Sequence, residues 1–194
     1  MARKAKAKSK KKVSVVKKRS VVKSKKSKKT AKKGALKRKN KVLAIPKGYN
    51  SITPYLIVDN AVAAIEFYKK SFGAKVAMRM ERPGGKIGHA ELKIGDTKIM
   101  LADECPEMDA RSPQAYGGSP VGIHLYVKNV DDVVAKAIDS GATVIREVQD
   151  QFYGDRSGTL QDPYGHKWHV STHIEDVSPS KMKKREAELF ANKS

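Results

Sequence analysis

Histidine carries most of the chemical potential of this chain. Of five histidines, His89, His124, His169 and His173 sit in runs where polar and apolar residues alternate, and His166 lies in the turn-forming stretch Asp162-Pro163-Tyr164-Gly165-His166. Alternation with period two marks a strand with one buried face. It groups His89 with Glu91 and Lys93, His124 with Gly122 and Tyr126, and His169 with Ser171 and His173. An earlier strand groups Thr53, Tyr55 and Ile57 in the same way. Imidazoles beside a carboxylate suit general acid–base work, ligand binding or metal coordination near neutral pH. The candidate ligand-binding residues are therefore Tyr55, His89, Glu91, His124, Tyr126, Arg156 and His169, with His124 and Glu91 the catalytic candidates and His89, Glu91, His124 and His169 expected to converge on one polar-lined pocket. Arg156, next to Gly154-Asp155, reads either as a clamp for an anionic substrate or as the partner of Asp155.

Each candidate has a plainer reading beside it. His89 suits a solvent-facing sheet edge, Glu91 a pair with a neighbouring lysine, His124 a hydrogen-bonded interior site and His169 a surface strand. His166 and Tyr164 shape their turn. The single cysteine, Cys105, excludes an intramolecular disulfide, suits a reducing compartment and lies between acids that disfavour a thiolate. Neither a Gly-rich phosphate loop nor a Ser-His-Asp arrangement stands out.

The elements that must position these residues repeat. Ile52–Asn60 aligns with Val121–Asn129 at an offset of 69. Each copy is a short strand running into a helix, about Ala61–Phe72 and about Val130–Ser140, and each helix meets a glycine, Gly73 or Gly141, of the kind that stops helices. The first helix puts Ala61, Ile65, Tyr68 and Phe72 on one face, the second Val130, Val134, Ala137 and Ile138. Strands restart at Gly73-Ala74-Lys75-Val76 and Gly141-Ala142-Thr143-Val144. Turns at Pro83-Gly84-Gly85 and Gly95-Asp96 then bound strands over Ile87–Ile94 and Lys98–Ala102, and the turn at Asp162–Gly165 separates Arg156–Gln161 from Lys167–Thr172. The fold class predicted is α+β, two βαβββ modules of about residues 49–102 and 121–174, in a domain spanning 48–178. Residues 179–194 follow as a C-terminal tail with a short helix over about 181–192, whose Met182, Leu189 and Phe190 are able to dock as a packing or dimer element.

These residues resemble the vicinal oxygen chelate superfamily of glyoxalase I, extradiol dioxygenases and bleomycin- and fosfomycin-resistance proteins, most of all its PhnB-like branch. The carriers are Thr53-Pro54-Tyr55-Leu56, Ala64–Ala74, Gly88-His89-Ala90-Glu91-Leu92, His124-Leu125-Tyr126-Val127 and Asp162–His166, over about residues 49–178. The resemblance implies strands curled around a cleft, commonly in a homodimer. It also implies metal ligands on the first and last strand of each module, at Thr53 and Ile99 and at Gly122 and His169. Only His169 is a good donor, and a catalytic divalent ion takes about three, so the expectation is no metal and no cofactor. The alternative is a divalent Zn²⁺ or Fe²⁺ held at a different site by His124, His169 and Glu91.

Charge divides the chain. Residues 1–47 hold 22 of the 41 Lys+Arg and no acid, which leaves 19 basic against 20 acidic residues in 48–194. Lys10, Lys11, Lys12, Lys17, Lys18, Arg19, Lys25, Lys26, Lys28, Lys29, Lys32, Lys33, Lys37, Arg38 and Lys39 are the expected contacts to DNA or RNA backbone. The stretch holds too little apolar surface to fold, so it reads as a disordered tail like the Lys-rich tails of linker histones. Lacking aromatics, it would grip phosphates rather than stack on bases. Engagement of roughly seven phosphates gives a log–log salt slope near −6. A targeting role is the alternative. No run resembles a membrane span or export signal, which predicts no membrane partner and a cytoplasmic protein, associated with the nucleoid, or nuclear in a eukaryote. Three functions remain: a metal-free small-molecule-binding domain tethered to nucleic acid, a metal-dependent lyase, isomerase or dioxygenase, and a histone-like protein using the fold as a dimerisation body.

Overall fold

The structure is a computed structural model that describes residues 42–191. Of the tail predicted to be disordered, residues 1–47, the stretch 1–41 with all of its expected nucleic-acid contacts lies outside the described residues, as does the predicted end of the last helix at Asn192.

The predicted double βαβββ order is what forms. In the first module β1 (Tyr55–Val58) leads into α1 (Ala61–Phe72), then β2 (Lys75–Glu81), β3 (Ile87–Ile94) and β4 (Thr97–Asp103). In the second, β5 (Gly122–Tyr126) leads into α2 (Val130–Asp139), then β6 (Thr143–Asp150), β7 (Asp155–Gln161) and β8 (Lys167–His173). Each module makes one four-stranded sheet, β1-β4-β3-β2 and β5-β8-β7-β6, in which the first and last strands pair in parallel and the rest antiparallel. The predicted C-terminal helix is α3 (Pro179–Ala191); it buries no residue, and Leu189 and Phe190 are exposed.

The repeat extends to how the helices are started. Asn60 and Asn129 cap α1 and α2, their side chains accepting from Ala63 N and Asp132 N. The last strand of each module supplies a second acceptor at the same place: Asp103 Oδ1 takes Ala61 N at 2.8 Å, and Thr172 Oγ1 takes Val130 N at 2.9 Å. Satisfying these otherwise unpaired amides fixes each helix against the far end of its own sheet. Gly73 ends α1 in the left-handed conformation at φ 65°, which a side chain would disfavour.

Both helices pack on the same side of their sheets. Leu56, Val58, Ala90, Leu92, Ile94, Ile99 and Leu101 meet Ala61, Ala64, Ile65, Phe67 and Tyr68 in one core, continuous with Val130, Val134, Ala137, Leu160, Trp168 and Val170 of the second module. Ile138, predicted on the buried face of α2, is instead 44% exposed. Between the modules Tyr68 and Phe72 of α1 pack on Trp168 of β8. Asp162 is the polar centre of this seam. Its Oδ2 accepts from Tyr68 Oη at 2.6 Å and Trp168 Nε1 at 2.9 Å, and its Oδ1 accepts from the amides of Tyr164 and His166 at 3.0 and 2.9 Å. Burial, followed by the nearby Asp162 carboxylate, holds the Tyr68 phenol well above its ordinary pKa, so Tyr68 remains a donor.

Candidate functional site

With the helices on one side, the other face of each sheet is left to polar side chains, and register decides which ones meet. Tyr55 pairs with Met100 as His124 pairs with His169. Outward from these, Glu91 lies opposite Met100 and Thr159 opposite His169. Next come Met78 opposite Glu91 and Arg146 opposite Thr159. The helix-free faces thus carry corresponding rows, Tyr55-Met100-Glu91-Met78 and His124-His169-Thr159-Arg146.

Two corrections follow from this register. The position in the first module that corresponds to His169 is Met100, because Ile99 points into the core. Arg146 joins the site although alternation from Val144 puts it on the helix side; a register shift between Val144 and Arg146 turns it over, as one between Val76 and Met78 does in the first module.

On the second sheet the His124 and His169 rings lie 6.2 Å apart, and His124 lies 4.7 Å from the Tyr126 ring. His169 Nδ1 is 3.0 Å from Thr159 Oγ1. Its other nitrogen lies over Gly122, where an added Cβ would stand 2.3 Å from Nε2, so glycine is what lets the ring lie down. Burial lowers the His169 pKa, and the charges of His124, Arg146 and Lys167 lower it further. Tyr126 points its hydroxyl to Asp155 Oδ2 at 2.9 Å, and Asp155 Oδ1 holds His173 Nδ1 at 2.7 Å while Asp176 takes Nε2 at 3.1 Å. These two carboxylates, Asp155 first, raise the His173 pKa.

On the first sheet Tyr55 Oη is 3.0 Å from His89 Nδ1, and His89 Nε2 is 3.7 Å from Glu91 Oε1. Glu91 is buried, and Lys98 Nζ donates to its Oε2 at 2.9 Å while lying 3.8 Å from the Tyr49 ring centre. Hydrogen bonds from Tyr49, then Lys98, lower the Glu91 pKa, so the carboxylate is ionised at neutral pH.

The four residues expected in one pocket therefore form two clusters on separate sheets, His89 with Glu91 and His124 with His169. Tyr55 and His124 connect the two sheets by lining one half-open cavity of about 540 Å³ with Pro54, Gly122 and Ile123. Arg156 is neither an anion clamp nor the partner of Asp155. It lies on the other side of β7, where Nε and Nη2 engage Asp131 of α2 at 2.8 and 2.7 Å and Nη1 engages Asp150 at 3.0 Å. Arg146, Thr159, Lys98 and Tyr49 escaped the sequence reading. Aligning Val76-Ala77-Met78 with Val144-Ile145-Arg146 was the available signal for the first of them.

The family's metal positions, corrected for register, are Thr53, Met100, Gly122 and His169: one imidazole, one thioether, one hydroxyl and one glycine. That donor set does not fit a catalytic divalent ion. The alternative trio of His124, His169 and Glu91 is split between the sheets, and the described residues contain no group of three or more His, Cys, Asp or Glu placed to hold a metal.

Comparison with known proteins agrees with this architecture. The chain is 40% identical over 131 residues to the Mycobacterium bovis uncharacterized protein Mb0911c, covering 66% of this chain and 86% of that protein. It is equally similar to Mycobacterium tuberculosis Rv0887c, of which it covers 77%. The X-ray structure of the Arabidopsis thaliana At5g48480 product superposes with a TM-score of 0.52 at 26% identity, covering 63% of this chain and 98% of that one. The profile of the Glyoxalase/Bleomycin resistance protein/Dioxygenase superfamily matches residues 48–170, and the chain belongs to that superfamily.

Proposed function

We propose that the protein is a small-molecule-binding member of this superfamily, from its PhnB-like branch, that takes a small organic anion on the helix-free face of its second sheet without a metal. The row His124-His169-Thr159-Arg146 carries the reading. It gathers two imidazoles and a guanidinium, with Lys167 on the same face of β8, and the nearby carboxylate of Asp155 is already engaged by Tyr126 and His173. The buried hydroxyl of Ser171, one row along, has no hydrogen-bond partner among the described residues.

A homodimer completes this reading. The helix-free faces expose Tyr55, Met78, Met80 and Tyr126 beside their polar rows. Residues 1–47, with 22 basic residues and no acid, then hold the protein on DNA or RNA backbone, and two copies raise the effective concentration of the basic stretch.

The test of the anion site is titration of the full chain with benzoate and phenylphosphonate, followed by the imidazole NMR signals. Movement of the His124 and His169 signals that Arg146→Ala abolishes supports the site. Binding that leaves both signals unmoved overturns it and assigns the anion to the lysines. Removing residues 1–47 should abolish salt-sensitive DNA binding; undiminished binding by residues 48–194 removes the tethering role.

A further inference from the structure

The anion site leaves the polar chain of the first sheet unexplained. Tyr55, His89 and Glu91 stand in line, with Oη to Nδ1 at 3.0 Å and Nε2 to Oε1 at 3.7 Å. Glu91 is ionised and buried, and Lys98 binds the carboxylate oxygen that faces away from His89, so Oε1 is left toward the ring. A carboxylate on that side favours the tautomer with its proton on Nε2. Nδ1 is then the acceptor, and the Tyr55 hydroxyl is the donor. The far end of the chain opens on space: Tyr55 is 49% exposed and lines the cavity shared with Gly122, Ile123 and His124. A group that can lose a proton, a base in contact with it and an anion behind the base is the arrangement that activates a nucleophile.

We propose that Tyr55 is an activated phenol whose substrate class is an acyl compound with a good leaving group, such as an activated ester or thioester. Tyr55 Oη bonds to the acyl carbon while its proton passes to His89 Nδ1. The bond from the acyl carbon to the leaving oxygen or sulfur breaks with its electron pair on the leaving atom, which takes the proton back from His89. Glu91 Oε1, 3.7 Å from Nε2, faces the imidazolium in between. Water then gives a proton to His89 as its oxygen bonds to the acyl carbon; the bond from that carbon to Tyr55 Oη breaks, Oη takes the proton back from His89, and the phenol and a carboxylic acid result. His89 and Glu91 act through Tyr55, and none of the three belongs to the anion-binding row.

The experiment exposes the full chain to p-nitrophenyl acetate, follows p-nitrophenolate release and maps acetylation by peptide mass spectrometry. Tyr116, 64% exposed, is the internal reference. Tyr55 should acquire acetyl on the order of a hundredfold faster than Tyr116, or turn over p-nitrophenolate at a rate that Tyr55→Phe removes. His89→Gln should bring Tyr55 down to the Tyr116 rate while labelling of Tyr116 stays unchanged, a split that general loosening of the fold would not give. Glu91→Gln should lower the Tyr55 rate as well. Equal labelling of the two tyrosines in the unmodified chain, without Tyr55-dependent turnover, overturns the proposal and needs no variant to do so. Labelling of Tyr55 that His89→Gln leaves intact overturns it too. Neither result bears on the anion site.

Discussion

Replacing Asp162 should destabilise the domain more than any single polar change on its surface. The carboxylate accepts four hydrogen bonds, from two side chains and two backbone amides, and the two side-chain donors, Tyr68 and Trp168, are almost wholly buried. A hydrogen bond to a charged acceptor contributes about 1.5–3 kcal/mol, and a buried donor left unpaired costs about 1–3 kcal/mol. Simple addition over four bonds overshoots, because the same groups are hydrated in the unfolded chain. An expectation of about 4 kcal/mol for Asp162→Ala is consistent with the cost of breaking other buried charged networks. Asp162→Asn keeps one carbonyl oxygen, which can serve one pair of donors and not the other, so about half that loss is expected, near 2 kcal/mol. Tyr68→Phe removes one donor and leaves the carboxylate three, for about 1 kcal/mol. At 2–4 °C per kcal/mol in a domain of this size, the melting temperature should fall by roughly 10 °C for the alanine variant. Urea unfolding by tryptophan fluorescence and circular dichroism reads all three, since the single Trp is Trp168. A loss below about 1.5 kcal/mol for Asp162→Ala, or an equal loss for Tyr68→Phe, would refute the view of Asp162 as the polar centre of the seam.

Histidine titration by NMR should separate two classes, with His169 titrating below the ordinary imidazole value of about 6.5 and His173 above it. Because the folded His173 pKa is raised, stability relative to His173→Gln should be fully present below about pH 6.5 and vanish as pH rises through the raised value. His169 works in the opposite direction: its protonation weakens the fold as pH falls through its lowered value. Gly122→Ala should push the His169 ring off Thr159, moving the His169 signal and abolishing anion binding while unfolding by urea changes by less than about 1 kcal/mol. Arg156→Ala should lower the urea midpoint only slightly, since its ion pairs are partly exposed, and should leave ligand titrations unchanged.

The fold was readable because its signals are local and doubled. The offset of 69 pairs Tyr55 with His124 and Asn60 with Asn129, and the predicted limits of α1 and β3 coincide with the observed ones. The site was only half readable because alternation assumes an unbroken pleat. One extra residue after Val144 reverses the side on which Arg146 emerges, and no composition marks the shift. A one-residue slip also placed the metal position at Ile99 instead of Met100. Arg156 was misjudged for another reason: its partner Asp131 is 25 residues away, on a helix whose packing against β7 is a tertiary fact.

The bond between Tyr68 and Asp162 spans 94 residues, which bears on how the chain is made. At about 5–20 residues per second, roughly 5–20 s of synthesis separate the emergence of the α1 aromatic face from that of its cover. During that interval Tyr68 and Phe72 have no Trp168 to pack on, and the first module leaves the ribosome with an open apolar side. Slow translation between the modules would lengthen the exposure, so chaperone demand and yield should depend on codon choice in the segment joining them.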